Sequence, residues 1–406
     1  MDRDLALRRT AFYVTFAAAV APLVSIAVSQ ILIGASLVAL VAAREKLRLP
    51  PIKLPLGLFM LATVISLLAS PDPAGGWPQI RKFYVLLTLP IVYTAFRSVR
   101  RKSRLTVAWL LTATASALVS FVQFALKYRA AQAAGEPFYL YYVGERTTGF
   151  MSHWQTFGGG MMLALMLAGG FVLFSPAARR RMPLWLGCAA LVALAIVLGF
   201  TRNVWLGSFA GGLYLLWHWR RKVILAVPVA LVLALVWGPP ALRERFVSFV
   251  HPHGEADSNQ HRIVTWRTGL RMIEAHPLLG LGPEQVGPQF ENYVPADVPR
   301  PLPEGWYGHL HDNYLHYAAE RGVPAMLFLV WFLFRALFDF IRAARRRTGA
   351  EGSWCLHGAA AGVIAIFVAG FFEVNLGDSE VLTMFLVLIS CGYAVIDTGA
   401  EGVESA

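Results

Sequence analysis

The chain has 406 residues, of which 57% are hydrophobic and 15% charged, with a mean hydropathy of +0.55. Soluble globular chains carry about 25% charged residues, so this composition excludes that class and indicates an integral membrane protein. The net charge of +12 lies mostly in short clusters between apolar runs, which is the positive-inside pattern of a polytopic membrane protein and argues against nucleic acid as a partner.

At about 20 residues per span, such a chain holds about a dozen helices and one modest loop domain. The apolar runs are continuous rather than alternating every second residue, so a β-barrel is excluded. The expected fold is therefore all-α. Spans are expected near 10–27, 28–43, 54–70, 80–97, 105–127, 156–175, 184–200, 203–219, 223–238, 323–341, 357–375 and 380–397. The first two share one apolar stretch, Thr10 to Ala43, with Pro22 as the expected kink. That stretch far exceeds the apolar core of a cleavable signal peptide. The organisation is then helices 1–9 over 1–238, a loop region over 239–322, helices 10–12 over 323–397 and a cytoplasmic tail over 398–406. Cys188, Cys355 and Cys391 lie in or beside apolar spans without metal-ligand spacing and read as small hydrophobes.

Loop charge sets the orientation. If Arg3, Arg8 and Arg9 are cytoplasmic, the basic clusters around Arg44–Lys53, Arg97–Arg104, Arg179–Arg181, Arg220–Lys222 and Arg342–Arg347 all fall on the same side. The long polar interruption, Pro239 to Asp312, falls on the other. Basic residues out there are not required by topology: Arg81, Lys82, Arg146, Arg202, Arg243, Arg245, Arg262, Arg267, Arg271 and Arg300. Each alone could be a solvated or lipid-phosphate-facing side chain. Together they suggest a site for a strongly anionic ligand on the non-cytoplasmic face.

Within the interruption, Asp257, Ser258 or Asn259 is placed to cap a helix from about Gln260 to Ala275, ended by His276-Pro277. Ile263, Trp266, Leu270 and Ile273 form one apolar face, with Arg267 and Arg271 on another, as in a helix lying at a membrane interface. Pro277 to Pro303 reads as ordered loop.

Two residues stand out chemically. Arg202 occupies a very short connection between apolar spans, where it either snorkels or contacts an anion. His311 precedes a short helix with Asp312 as expected N-cap, Gly322 as stop and Pro324 starting the next helix. The positive end of that helix favours a neutral imidazole, which a general base requires; capping or interfacial packing is the plainer role. His309 and His316 are rival bases, and His309-x-His311 could hold a metal, although two ligands make a weak metal signature.

Arg202-Asn-Val-Trp-Leu206 resembles the Arg-x3-Leu motif of O-antigen ligases, and His311-Asp312, nine residues and Gly322 resembles their second motif. Asp312 departs from the Asn, Ser or Gln common at its position. His276-Pro-Leu-Leu-Gly-Leu-Gly-Pro283 and Arg146-Thr-Thr-Gly-Phe150 are similar to the wider family that includes O-antigen polymerases and pilin glycosyltransferases. The resemblance covers roughly 140–390, with the overall twelve-span plan.

The resemblance implies an inverting, metal-independent glycosyltransferase of the membrane-embedded C type in the bacterial inner membrane, needing no cofactor, with its site facing the periplasm. The donor would be a glycan on undecaprenyl diphosphate and the acceptor a sugar hydroxyl of the lipid A core, met among membrane lipids. His311 would activate the acceptor. Arg202 and Arg262 would bind the diphosphate, Arg262 being preferred to Arg267 for its place near the start of the loop helix. Arg146 and Arg81 would be secondary contacts, and Lys82, Arg267, His309 and Asn313 would complete the substrate contacts. A polymerase using the same donor is the nearest alternative. A transporter is the more distant one, its signs being the candidate ion pair Arg335–Asp339 and Glu373 near a span end.

Overall fold

The computed structural model describes residues 2–249 and 259–404, and every regular element among them is helical. The chain opens with α1 (Asp2–Val20), a 3-10 turn at Ala21–Leu23 and α2 (Ile26–Ala42) folded back on α1. The kink falls at Pro22 as expected, so the first boundary lies a few residues earlier than 27/28. After α3 (Lys53–Leu68), the expected span near 80–97 is broken into α4 (Pro73–Arg81), a 3-10 segment (Lys82–Leu87) and α5 (Thr88–Ala95). Pro78 and Pro90 lack the N–H groups that one continuous helix would use there.

α6 (Val99–Ala134) begins where the Ser98 hydroxyl accepts the Arg101 N–H and ends at Gly135 in the left-handed region. There follow α7 (Phe138–Gly144), α8 (Trp154–Phe174), a 3-10 turn (Pro176–Arg181), α9 (Met182–Leu198), α10 (Arg202–Arg220) and α11 (Ala226–Trp237). The interruption holds α12 (Pro240–Val247), α13 (Asn259–Ala275), α14 (Val286–Tyr293) and α15 (Asn313–Arg321). The chain then enters α16 (Val323–Arg346), α17 (Ser353–Ala369) and α18 (Ser379–Glu404).

Among the described residues, five stretches are long and apolar enough to cross a membrane: Val99–Ala134, Trp154–Phe174, Pro176–Leu198, Val323–Arg346 and Ser379–Thr398. α2, α3 and α17 are shorter and apolar. The protein is thus an all-helical integral membrane protein. α8 and α18 are buried within the bundle, whereas α9 and α16 present most of their apolar surface outward. α10 reaches α17 through Gly207 and Gly211, where any Cβ would press on the Ala365 and Ala361 carbonyls. Small residues four apart allow this close backbone approach, the usual means of tight helix packing in lipid. All three cysteines are buried and free. The Arg335–Asp339 pair forms at 2.8 Å, but Arg335 is half-exposed, so it is no internal charge pair.

The interruption builds its own small core from Val264, Met272, Leu281, Val286, Phe290, Leu310 and Ala319. One expectation changes here: the stretch read as loop contains α14. In α13, Ile263 and Leu270 of the apolar face point outward, and the side packed on protein carries His261, Val264, Thr265, Thr268, Gly269 and Met272. Small and hydroxyl side chains let α13 sit close on α15 and Leu310, which the apolar stripe could not do. Of the proposed caps, Asp257 and Ser258 lie outside the described residues, and Asn259 is the first helical residue.

The 276–283 segment clasps the end of α15. Leu281 and Gly282 N–H groups donate to the Ala319 and Glu320 carbonyls, and the Val323 N–H donates to the Pro277 carbonyl. Gly322 ends α15 at φ +86°, where a Cβ would collide with the Leu278 carbonyl, a backbone atom that cannot step aside. We expect Gly322→Ala to cost more than about 2 kcal/mol, seen as a lower melting temperature and yield in detergent.

Candidate active site

α8, α10, α13 and α15, together with the loops before α8 and after α17, surround a cavity of about 760 Å³, within the usual range for ligand sites.

One wall is cationic: Arg146, Arg202, Arg245 and Arg262 all line it. Arg202 is the first residue of α10 and is buried; its Nη1 donates to the Ser248 carbonyl at 3.0 Å and its Nη2 to Asn259 Oδ1 at 2.6 Å. Arg245 is equally buried, with Nε on the Phe200 carbonyl at 2.9 Å and Nη1 on the Tyr139 hydroxyl at 3.3 Å. Phe200 accepts that bond from a positive φ of 48°, which bends the chain sharply between α9 and α10. The other two arginines are less engaged. Arg146 lies over the Trp154 ring at 5.4 Å, and its Nε is buried with no hydrogen-bond partner. Burial, then the charge of Arg245, pull its guanidinium down to about 9, which leaves it charged at neutral pH. The Arg262 guanidinium has no hydrogen-bond or ion-pair partner among the described residues, only its backbone carbonyl accepting from the Thr265 hydroxyl; burial, opposed by Glu373, lowers it. Four guanidinium groups plus the positive end of α10 make this wall a receptor for concentrated negative charge.

Imidazoles and carboxylates also line the cavity, with His309, His311 and Glu373 forming one cluster. His311 sits at φ +51°, an uncommon conformation for a non-glycine residue. Buried Leu310 on one side and the Asn313 N–H bond to the Gly370 carbonyl on the other hold it there. Asp312 caps α15, accepting from the Tyr314 and Leu315 N–H groups at 2.7 and 2.8 Å. Asn, Ser and Asp all cap well, so the departure at Asp312 keeps the local geometry, although burial raises that carboxyl to about 6. The His311 Nδ1 lies 3.4 Å from Glu373 Oε2, and its Nε2 is buried without a partner. His309 accepts the His311 N–H on Nδ1 at 3.2 Å and brings Nε2 to 3.5 Å from Glu373 Oε1. Gln155 and the Val374 N–H also donate to Glu373, at 2.8 and 3.0 Å.

Burial alone would raise Glu373. The hydrogen bond and charge of His311, then His309 and Arg262, instead hold it down at about 2. Burial pushes His309 to about 3 and His261 to about 4, so both are neutral at physiological pH. The His261 ring stands 5.2 Å from that of His311, with its Nε2 buried and unpartnered. His309, His311 and Glu373 offer donor atoms within 4.8 Å of one another, close enough to share a cation. Both carboxylate oxygens already take N–H donors, however, so the geometry is that of a filled hydrogen-bond network.

The structure gathers some expected residues and separates others. Arg146, Arg202, Arg262, His309, His311 and Lys82 line the cavity. Arg81 is exposed and lies off the lining. Arg267 is paired with Asp297 on the outside, at 2.6 and 2.8 Å. Asn313 is fully buried behind the cavity, donating to Asn375 Oδ1 at 2.6 Å. Glu373, Gln155 and His261 were not singled out as site residues. His261 leaves a faint trace, since it shares a helical face with Thr265 and Thr268 at spacings of four and three. Gln155 and Glu373 leave none.

Residues 187–330 match the family model described as O-antigen ligase. Over this segment the chain is similar to the O-antigen ligases. No curated protein matches the chain. The ligase segment runs from α9 into the start of α16 and contains Arg202, Arg245, His261, Arg262, His309 and His311. Members of this family are glycosyltransferase-like enzymes that work on lipid-linked glycans in the inner membrane. Arg146, Gln155 and Glu373 complete the cavity from outside the matched segment.

Proposed function

We propose that this protein is an O-antigen ligase of the C type. It joins a glycan carried on undecaprenyl diphosphate to a sugar hydroxyl of the lipid A core, at the periplasmic face of a twelve-span bundle. The observation that carries the reading is the cavity itself, which gathers four arginines and a cluster of imidazoles.

The chemistry follows from that arrangement. The acceptor hydroxyl attacks the anomeric carbon of the donor while His311 takes its proton. The bond from that carbon to the diphosphate breaks, and its electron pair leaves with the lipid diphosphate. A single displacement of this kind inverts the anomeric centre. Arg262 and Arg202, with Arg146, face the charge that grows on the leaving group, which is electrostatic stabilisation from groups already in place. Fixed guanidinium groups can serve where many transferases employ a metal ion, so transfer is expected to persist in EDTA. The alternation of basic loops supports the outward placement of the cavity.

The test is transfer by purified protein from a lipid-linked glycan, with lipid A core and a second lipid-linked repeat unit both offered. The expected product is glycan on lipid A core. Elongated glycan on the lipid carrier alone would identify a polymerase instead. Product formed in detergent, without a second compartment, separates either enzyme from a transporter.

A further inference from the structure

Among the described residues, Glu373 is the only carboxylate in contact with His311. It lies 62 residues further along the chain, in the connection between α17 and α18, beyond the segment that matches the ligase family. Its side chain is 9% exposed, yet it accepts from Gln155 and the Val374 N–H and faces His309 and His311. An ionised carboxylate can only accept hydrogen bonds. The His311 nitrogen facing it, Nδ1, must therefore carry the proton, which leaves the lone pair on Nε2. The neighbouring ring obeys the same logic: His309 Nδ1 accepts from the His311 backbone, so its proton lies on Nε2, towards Glu373.

We propose that Glu373 is the positioning residue for His311, fixing the tautomer whose Nε2 receives the acceptor proton and stabilising the imidazolium that results. This rests on the glycosyl-transfer reading above. The proton passes from the acceptor oxygen to Nε2, and Nδ1–H stays on the ring, bonded to Glu373. No proton moves to the carboxylate, which remains ionised throughout. The other groups around the pair do not replace it. His309, His261 and His316 are imidazoles held neutral by burial, Gln155 is uncharged, the Asp312 carboxylate is engaged by the Tyr314 and Leu315 N–H groups, and Arg262 and Arg146 are cations. His153 is within electrostatic reach of Glu373 but contacts neither partner.

The experiment uses the full chain in bilayers, with wild type, Glu373→Gln and Glu373→Asp. Two readouts are taken: the pH profile of transfer, and 15N spectra of histidine-labelled protein, with His311 assigned by difference from His311→Asn. The spectra need no turnover. In wild type the His311 proton is expected on Nδ1. In Glu373→Gln the plateau rate should fall about 10- to 100-fold with little change in KM. Both the acid limb of the rate profile and the spectral titration of His311 should move to lower pH, because a lost negative neighbour makes the imidazolium harder to form. Glu373→Asp, which keeps the charge, should move both back towards wild type and serves if the Gln variant melts early. An unchanged titration in Glu373→Gln, or a wild-type proton on Nε2, overturns the proposal. So would wild-type activity that a chelator abolishes and Zn²⁺ restores, since a shared cation would then occupy these residues. A shifted titration without transfer to any acceptor would leave the pairing standing and sink the transferase reading.

Discussion

Replacing His311 with Ala is expected to lower glycan transfer by about 10²- to 10⁴-fold, the usual worth of a positioned general base, while donor binding and thermal stability stay close to wild type. His311 has its ring on the cavity wall, and the helix after it is capped by Asp312 rather than by the imidazole. The fold therefore loses little. His309 and His316 occupy the same wall, so parallel His309→Ala and His316→Ala variants matter. His309 already spends Nδ1 on the His311 backbone, and His316 lies 3.8 Å from Glu320. Smaller losses are expected from both. Near-normal transfer by His311→Ala would remove the base assignment and move attention to these neighbours.

The second large effect is expected at Arg262. Its guanidinium lines the cavity and holds no partner of its own, so Arg262→Ala should leave the fold intact and reduce kcat by about 10²- to 10³-fold, as for loss of one preorganised donor. Arg267, five residues along the same helix, pairs with Asp297 outside and should tolerate Ala almost without effect. The pair forms an internal control, since both substitutions remove one positive charge from α13. Equal losses at the two positions would mean that net charge, rather than placement, carries the interaction. Arg202→Ala is a less clean test. Arg202 also ties α10 to Ser248 and Asn259, so its loss mixes stability with chemistry.

Much of this was readable from residue order alone. Helix positions followed the apolar runs because lipid forces backbone groups to bond within each segment. The cap at Asp312, the stop at Gly322 and the start at Pro324 were legible because each depends on the backbone chemistry of one residue. Where placement depends on packing, the chain was silent. The 80–97 segment reads as one apolar span because hydropathy does not register what Pro78 and Pro90 do to a helix. The face that α13 packs against protein left no signal in the letters, because Gly269 and Thr268 permit a close approach that no periodicity reveals. Arg262 and Arg267 are indistinguishable as letters, and only the rotation of α13 separates them. Glu373 looked like a stray acid at a span end, because a contact across 62 residues leaves no local spacing to detect.

That distance along the chain has a consequence for how the protein is made. Synthesis runs from the N-terminus, so Arg146, Arg202, Arg245 and Arg262 are all translated before Glu373, the carboxylate that faces the histidine wall. Until the α17–α18 hairpin enters the bilayer, the nascent protein holds a cluster of cations and an unanchored imidazole. On the proposed mechanism the reaction centre is complete only once that hairpin inserts, so a ribosome-bound intermediate would present a receptor for anionic lipid before it could turn one over.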